Sequence, residues 1–535
     1  MYMKVNKIFK DLVRAALPIA LSSPLLAFSH VEEKTDESEV PVKIQGGKIT
    51  GTLSEDSKIR IYKGIPYAAP PVGQLRWKAP QPVVPWEGIK ECIQYSANAI
   101  QPPQNPFMFW SEEFIVDTTK GYSEDCLYLN VWTKSKKADK KRPVIVYIHG
   151  GANVSGGASC DVYDGTEIAK KGIVYVSINY RVGILGFLAH PSLSEESADG
   201  ISGNYAILDQ ITALKWVKNN IDKFGGDPDH VTVVGQSAGA FNVNSLVISP
   251  LAKGLFKNAF TMSFNIINSE AVSLSDKEEE GLKVFEGKTL EEMRAMSTDE
   301  LLKLNYVAST CVDGLVFTGS ALETYKAKAA NNVTLITGMV DGDSILFPIL
   351  SSGEMFGYTK SMTKTQYETA VKEQFGAYAN ECLKAYPPLS DDALDVFHQV
   401  NRDGAMALQN YLAKARSLQS VDKTYIYNFS HVMPGVDSAN MKAFHTSDVP
   451  YWLNYFSPLR EEYWAKIDYK LGEQMSNYLV NFAETGNPNG KEETSWKPYN
   501  GKMSYLNIGD EISIYNMSDT QVKFWEGLFA SQLGL

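Results

Sequence analysis

A strand that runs directly into a glycine-bracketed turn constrains this chain more than any other feature of its sequence. The β-branched run Val231 to Val234 leads into Gly235-Gln236-Ser237-Ala238-Gly239, and an apolar helical pattern from Ala240 to Ile248 follows. Glycine permits a bend that a Cβ would block, and the serine is left at the tip of the turn. The pattern predicts a nucleophile elbow with Ser237 as the attacking group in acyl transfer. Taken alone, it also fits an ordinary strand-to-helix turn.

Short β-branched runs recur along the chain and alternate with helical patterns such as Leu208 to Asn220. This alternation predicts an α/β fold with a large, mostly parallel sheet covered by helices on both faces. Active sites of such sheets lie beyond the carboxyl ends of the strands, where Ser237 would stand. The predicted strands are Val144 to His149, Ile173 to Asn179, Val231 to Gly235, Val333 to Thr337 and Tyr425 to Phe429.

Composition bounds the class of protein. No Pro/Ser-rich linker, charge block or internal repeat interrupts the 535 residues, so we predict one domain over residues 44–535. The 44% of hydrophobic residues is enough for a sizeable core. A net charge of −11 with no basic patch argues against a nucleic-acid partner.

The N-terminus differs from the rest of the chain. Basic residues from Lys4 to Arg14 precede an apolar stretch, Ala15 to Phe28, which ends at a small-x-small site, Ala27-Phe28-Ser29. We predict an export signal over residues 1–29, a polar spacer over 30–43, and a periplasmic or secreted product. The apolar stretch is too short to span a bilayer, so no integral membrane span is expected once the signal is removed. The alternative is an amphipathic N-terminus followed by a disordered tail.

A second strand end carries His149-Gly150-Gly151-Ala152. Small residues let backbone N–H groups approach the oxygen that becomes negatively charged in a tetrahedral intermediate. In esterases such a loop acts together with the N–H of the residue after the nucleophile, here Ala238. Coupled to the elbow, the motif predicts an oxyanion hole.

The general base is sought among the histidines that follow Ser237, because the order in this type of hydrolase is serine, acid, histidine. His398 falls in a helical pattern, Asp391 to Val400, and His431 ends a predicted strand. His445 lies in a loop just past that strand, which is where a general base is expected, so we select it.

The acid is sought after the strand Val333 to Thr337. The segment that follows contains two carboxylates, Asp341 and Asp343. One would orient the imidazole and the other would be a turn residue. Spacing does not choose between them.

Further motifs appear in the order of a known family. They are Gly64-Ile65-Pro66-Tyr67-Ala68-Ala69-Pro70-Pro71-Val72-Gly73, Glu124-Asp125-Cys126-Leu127-Tyr128-Leu129-Asn130-Val131-Trp132, Asn179-Tyr180-Arg181-Val182-Gly183-Ile184-Leu185-Gly186-Phe187 and Phe224-Gly225-Gly226-Asp227-Pro228. From about Gly46 to the C-terminus the chain resembles the type-B carboxylesterases. This α/β-hydrolase family includes bacterial para-nitrobenzyl esterases and the cholinesterases.

The resemblance implies roles for individual residues. It assigns the acid to Asp343, the base to His445, and the oxyanion-hole N–H groups to Gly151 and Ala152. It also implies two structural ion pairs, Arg76 with Glu124 and Arg181 with Asp209.

The chain departs from the family pattern at several positions. Gln236 stands where many relatives have glutamate, which removes a charge from the surroundings of the triad. Ala152 and Asn153 replace the more usual glycine and apolar residue, so the acyl-side wall of the substrate pocket is expected to be more polar. Gln236 and Asn153 are both predicted to line that pocket. Phe107, Phe109 and Trp110, in an irregular Pro-rich stretch, are predicted to line the pocket. Aromatic clusters more often serve packing. No tryptophan supports a choline site.

The cysteines also depart from the pattern. The family's first cysteine is missing near Gln101, whereas its partner Cys126 is retained, so Cys92 is the nearest substitute for a disulfide. Closing that loop would stabilise the fold by about 3 to 4 kcal/mol on the chain-entropy model. A free, buried Cys126 is the alternative.

Taken together, the sequence predicts a serine carboxylic-ester hydrolase that forms an acyl-enzyme on small or medium esters and needs no metal or cofactor. A non-catalytic binding or adhesion protein is the alternative from another class. A third alternative keeps the triad but acts on amides, lactones or thioesters. The physiological substrate and the oligomeric state are left open.

Overall fold

A sheet with the strand order β14-β13-β12-β11-β10-β9-β7-β8-β6-β4-β3 forms the centre of the part of the chain that the structure describes. A smaller sheet has the order β1-β2-β5. The strands are β1 Val42–Ile44, β2 Gly47–Thr50, β3 Thr52–Leu53, β4 Ile59–Pro66, β5 Ile89–Glu91, β6 Tyr128–Lys134, β7 Arg142–Ile148, β8 Val174–Ile178, β9 Gly226–Gln236, β10 Asn258–Met262, β11 Thr334–Val340, β12 Thr424–Phe429, β13 Ser504–Ile508 and β14 Ile512–Asn516.

The structure is a computed structural model and describes residues 40–106, 112–134, 141–343, 361–419, 423–435, 438, 442–491 and 494–534. They all belong to one compact unit, Glu37–Leu535. The predicted signal (1–29) and the predicted spacer as far as residue 39 lie outside the described residues. The first strand begins at Val42, two residues before the predicted start of the domain.

Helices connect the strands. They are α1 Thr166–Lys170, α2 Gly183–Phe187, α3 Pro191–Glu196, α4 Tyr205–Asn220, α5 Ala238–Ile248, α6 Leu274–Val284, α7 Leu290–Ala295, α8 Thr298–Leu301, α9 Ala321–Lys326, α10 Lys364–Phe375, α11 Ala379–Ala385, α12 Leu394–Ser417, α13 Val449–Leu453, α14 Lys466–Thr485 and α15 Asp519–Leu533. Within the described ranges, no helix combines the length and the apolar character needed to cross a membrane.

The central strand β7 shows how the sheet is covered. Val144, Val146 and Ile148 pack into one apolar cluster with residues of α4 and α5, whereas Ile145 and Tyr147 pack into another with residues of α14. Successive side chains of a strand point to opposite faces, so both faces of the sheet are buried. This confirms the predicted mostly parallel sheet with helices on both sides, and each of the five predicted strands is present.

Parallel pairing determines where the functional loops meet. Strands β8, β7, β9, β10, β11, β12 and β13 pair in parallel in that order. Their carboxyl ends therefore share one edge of the sheet. The loops after β7, β9, β11 and β12 lead to Gly151, Ser237, Asp343 and His445, respectively.

The two predicted ion pairs are confirmed. Arg181 Nη2 lies 2.7 Å from Asp209 Oδ1, and both side chains are almost fully buried. Arg76 Nη2 lies 2.6 Å from Glu124 Oε1. Arg181 also donates to the carbonyl oxygen of Lys78, so this pair joins α4 to two irregular segments. Removing one partner of such a pair leaves an uncompensated charge in the interior.

The candidate disulfide between Cys92 and Cys126 is not formed in the structure. Both residues are buried free thiols, as are Cys160, Cys311 and Cys382. Cys92 Sγ donates to the carbonyl oxygen of Gly64, whereas Cys126 lies in the loop before β6, where the charges of Asp209 and Arg181 act on it. Burial raises the pKa of both thiols, which keeps them protonated.

We expect Asp209→Asn to lower the free energy of unfolding by about 3 kcal/mol, because it leaves the buried Arg181 guanidinium without a compensating negative charge. Chemical denaturation measures the change. The matched control is Asp229→Asn, which removes the partner of Lys218 from an exposed pair and should leave the unfolding midpoint nearly unchanged. Equal effects of the two substitutions would contradict a structural role for the buried pair.

Candidate active site

The backbone at Ser237 has the conformation of a nucleophile elbow. Strand β9 ends at Gln236, helix α5 begins at Ala238, and Ser237 between them has φ 57° and ψ −124°. A non-glycine residue rarely adopts a positive φ, and the strain is of order 1–3 kcal/mol. Hydrogen bonds hold it in place: Ser237 N donates to Met262 O at 2.9 Å, and Phe241 N donates to Ser237 O at 3.0 Å. The side chain is partly exposed at the edge of the sheet.

Close backbone contacts explain the glycines around the elbow. A Cβ on Gly235 would lie 2.4 Å from Gly239 O, and a Cβ on Gly239 would lie 2.1 Å from Ile148 O. A Cβ on Gly150 would lie 2.8 Å from Gln236 O. The glycines of the G-x-S-x-G pattern therefore permit close backbone approach within the turn and between the turn and the end of β7.

The loop after β7 places three consecutive residues at positive φ: Gly151 at 111°, Ala152 at 54° and Asn153 at 60°. Among the residues that the structure describes, the N–H groups of Gly151 and Ala152 donate to no protein group. Ala238 is the first residue of α5, so its N–H has no acceptor within the helix. Donors of this kind are what an oxyanion hole requires.

Asn153 holds this loop against its neighbours. Its carbonyl oxygen accepts from Gly183 N at 2.6 Å, and its side-chain Oδ1 accepts from Asn242 Nδ2 of α5 at 3.2 Å. Asn153 is 6% exposed. The structure thus turns the amide of this predicted pocket residue towards α5, and its burial argues against glycosylation of the Asn153-Val154-Ser155 sequon in the folded chain.

A buried carboxylate–imidazole pair lies at the ends of β11 and the loop after β12. His445 Nδ1 is 2.5 Å from Asp343 Oδ1, and both residues are buried. Asp343 Oδ2 also accepts from Val340 N at 3.1 Å, which orients the carboxylate. The other candidate acid, Asp341, instead accepts from Asn428 Nδ2 at 2.8 Å. The geometry thus brings Asp343, the residue implied by the resemblance, to the imidazole.

A backbone hydrogen bond joins the loop after β11 that carries the predicted acid Asp343 (the acid loop) to the loop after β12 that carries the predicted base His445 (the base loop). Gly342 N donates to Ala443 O at 2.6 Å, two residues before His445. A Cβ on Gly342 would lie 2.3 Å from that oxygen, so only glycine allows the approach.

The second nitrogen of the imidazole faces the elbow. His445 Nε2 lies 3.3 Å from Gln236 Nε2, and Gln236 is 1% exposed. The residue predicted to alter the surroundings of the triad therefore contacts the predicted base directly.

Sequence reasoning assigned no role to a second carboxylate near His445. Asp448 is fully buried, and burial raises the pKa of its carboxyl to about 6, partly opposed by the hydrogen bond from Tyr427 OH at 2.6 Å. The charges of Asp343 and His445 also act on it. Its place three residues after His445 in a buried loop was the available signal.

The other candidate histidines are engaged elsewhere. His398 lies on α12 with Nδ1 3.3 Å from Lys442 Nζ. His431 lies between two carboxylates, with Nδ1 2.6 Å from Asp510 Oδ1 and Nε2 3.0 Å from Asp468 Oδ1. The predicted pocket residues Phe107, Phe109 and Trp110 fall outside the described residues. Their neighbour Phe114 packs edge-to-face on Phe444, next to His445.

The strand order and the groups at the carboxyl edge define a serine hydrolase of the α/β-hydrolase fold. Residues 38–525 match the profile of the carboxylesterase family, and the chain belongs to that family. It is 32% identical over 510 residues to fumonisin B1 esterase of Sphingopyxis macrogoltabida, a match that covers 90% of this chain and 88% of the relative. It is 31% identical to carboxylesterase 1D of Rattus norvegicus, covering 91% and 92%.

A solved structure of PNB esterase superimposes with a TM-score of 0.73 at 27% identity, covering 91% of this chain and 99% of that one. The predicted fold and the predicted family are thereby confirmed. The chain is a serine hydrolase of carboxylic esters, which favours the enzyme over the non-catalytic alternative.

We expect Asp448→Asn to stabilise the protein more at pH 8 than at pH 4. Burial raises the pKa of the Asp448 carboxyl to about 6 in the folded state, whereas the unfolded carboxyl has its ordinary pKa of 3.8. Raising the pH through this interval therefore destabilises the folded parent, by up to about 3 kcal/mol. Asparagine keeps an oxygen for Tyr427 and carries no charge. Thermal midpoints from pH 4 to 8 measure the difference, and a difference that does not change with pH would refute the explanation.

Proposed function

We propose that Ser237, His445 and Asp343 form the catalytic triad of this esterase, with the N–H groups of Gly151, Ala152 and Ala238 as its oxyanion hole. The observation that carries the proposal is the 2.5 Å contact between His445 and Asp343 at the sheet edge that also bears the strained Ser237. With the Asp343 carboxylate on Nδ1, the imidazole lone pair lies on Nε2, which is the nitrogen that takes the serine proton.

The reaction proceeds through an acyl-enzyme. Ser237 Oγ attacks the ester carbonyl carbon while His445 Nε2 takes the hydroxyl proton, and the oxygen that becomes negative is held by the three N–H groups. Collapse of the intermediate breaks the bond to the alcohol oxygen, which receives the proton from His445. Water then attacks the acyl-enzyme, passes a proton through His445 to Ser237, and releases the carboxylic acid.

The substrates we propose are small or medium carboxylic esters. The family match supports an ester bond, and relatives named fumonisin B1 esterase and carboxylesterase 1D match this chain about equally well. Identity therefore does not choose a particular acid or alcohol. A panel of nitrophenyl esters of increasing acyl length, with matched amide, lactone and thioester substrates, would rank the leaving groups.

We expect Ser237→Ala to lower turnover of a short-chain nitrophenyl ester by at least ~10³-fold, because the variant lacks the oxygen that attacks the ester carbonyl. An organophosphonate should add to the parent protein once per chain, as measured by intact mass, and should not add to the variant. Ser237→Ala with most of the parent's turnover would overturn the assignment.

The two acids supply a matched pair. We expect Asp343→Asn to reduce kcat by roughly 10³- to 10⁴-fold, because an amide at Nδ1 no longer stabilises the imidazolium. Asp341→Asn, which changes the neighbouring carboxylate bonded to Asn428, should retain most of the activity. Steady-state kinetics on both variants measure the contrast, and a greater loss in Asp341→Asn would reverse the choice of acid.

We propose that residues 1–29 are an export signal, residues 30–43 a spacer and residues 44–535 the esterase domain. The basic residues, the apolar stretch and the Ala27-Phe28-Ser29 site support this. Expression in a bacterial host that processes such signals should yield active protein in the periplasm or medium whose N-terminal sequence begins at His30. Cytoplasmic protein that retains residues 1–29 would contradict the proposal.

A further inference from the structure

The Gln236 side chain contacts His445 Nε2, the nitrogen that takes the serine proton in the proposed mechanism. Because Nδ1 is held by the Asp343 carboxylate at 2.5 Å, the proton of the neutral imidazole lies on Nδ1 and the lone pair lies on Nε2. The Gln236 side-chain Nε2, at 3.3 Å, then donates an N–H to that lone pair. The same lone pair must accept the proton of Ser237.

The direction of this hydrogen bond has a chemical consequence. A donor on Nε2 stabilises the neutral imidazole. It forms no hydrogen bond to Nε2 of the imidazolium, which carries a proton and has no lone pair there. A carboxylate at the same place would do the reverse, because it attracts the charged form. The amide of Gln236 and the carboxylate of Asp343 therefore act on His445 in opposite senses.

The two ends of the Gln236 amide face different parts of the site. Gln236 is the last residue of β9, 1% exposed, and its backbone pairs with Met262 of β10. A Cβ placed on Gly150 of the oxyanion loop would lie 3.2 Å from Gln236 Oε1. The oxygen end of the amide thus faces the oxyanion loop and the nitrogen end faces the base.

We propose that Gln236 is a positioning residue that holds His445 as a neutral base by donating to Nε2, and that it thereby extends esterase activity towards acidic pH. This rests on the proposed function of Ser237 and His445. During attack, the Ser237 hydroxyl displaces the amide from the lone pair. The Gln236 hydrogen bond is therefore present only before the proton moves, and Gln236 forms and breaks no covalent bond.

Other charged groups also act on this imidazole. Asp343 contacts His445 Nδ1. Asp448 lies in the same buried loop as His445 and accepts a hydrogen bond from Tyr427 OH. The charges of Asp341, at the end of β11, and Asp343 act on each other. Arg402 and Lys442 act in turn on Asp341. These groups stay constant when only Gln236 is changed, so a comparison of variants isolates the amide.

The test is the pH profile of kcat/KM for Gln236→Met and Gln236→Glu beside the parent. Met keeps the length of the side chain and removes the donor, so the midpoint of the acid limb should move up by about 0.4 to 1 pH unit. Glu removes the donor and adds a charge that favours the imidazolium, so its midpoint should move up by at least about 1 unit. The rate of organophosphonate addition, followed over the same pH range, should show the same order.

A matched control separates this effect from packing. Gln409→Met changes another buried glutamine, which accepts from Thr337 Oγ1, and should lower the thermal midpoint without moving the acid limb. Active-site titration with the organophosphonate corrects each rate for folded enzyme. If Gln236→Glu does not fold, Gln236→Met alone decides the matter by the direction of its shift.

The outcomes are distinct. Acid limbs in the order parent, Met, Glu towards higher pH support the proposal. Coincident limbs, or a Met limb at lower pH than the parent's, overturn it, even if the variants lose activity uniformly. Ser237→Ala in the same assays tests the underlying function: if that variant is active the triad is wrong, whereas if it is inactive and the limbs coincide, only the role of Gln236 is wrong.

Discussion

Parallel pairing of β7, β9, β10, β11 and β12 is the constraint on which the rest of the structure depends. Because these strands run in one direction, residues that are far apart in sequence leave the sheet at one edge. Asp343 and His445 are separated by 102 positions and Gln236 and His445 by 209, yet each pair is in contact. A strand that ran the other way would carry its functional residue to the opposite edge.

Close backbone approach is the second requirement, and glycine meets it at each junction. Gly239 allows the elbow to touch the end of β7, and Gly342 allows the acid loop to touch the base loop. The cluster is thus held by main-chain contacts that side-chain substitution elsewhere does not alter. Strain at Ser237 and along the oxyanion loop is tolerated because these contacts and the buried sheet surround it.

The sequence predicted the features that depend on local pattern. The strand-to-helix turn at Ser237, the five strands, the glycine-containing loop after β7 and the loop position of His445 follow from residue type and order. The preference for Asp343 over Asp341 as the proposed acid needed the family resemblance, because the sequence does not show which of two carboxylates in one turn lies beside a distant imidazole. Strand β9 begins at Gly226, before the β-branched run, because pairing with Arg142 extends it beyond its local propensity.

Other features were beyond sequence because they depend on side-chain direction. The contact of Gln236 with His445 and the burial of Asp448 arise from how loops fold onto the sheet edge. The predicted Cys92–Cys126 disulfide depended on side-chain direction in the same way. In the structure the Cys92 thiol donates to the Gly64 carbonyl oxygen, and both thiols are free. The five buried free thiols also make local opening of the fold measurable. An alkylating reagent can label each thiol only after the segment around it opens to solvent. The labelling rates of the five cysteines would therefore show which parts of the molecule open most readily.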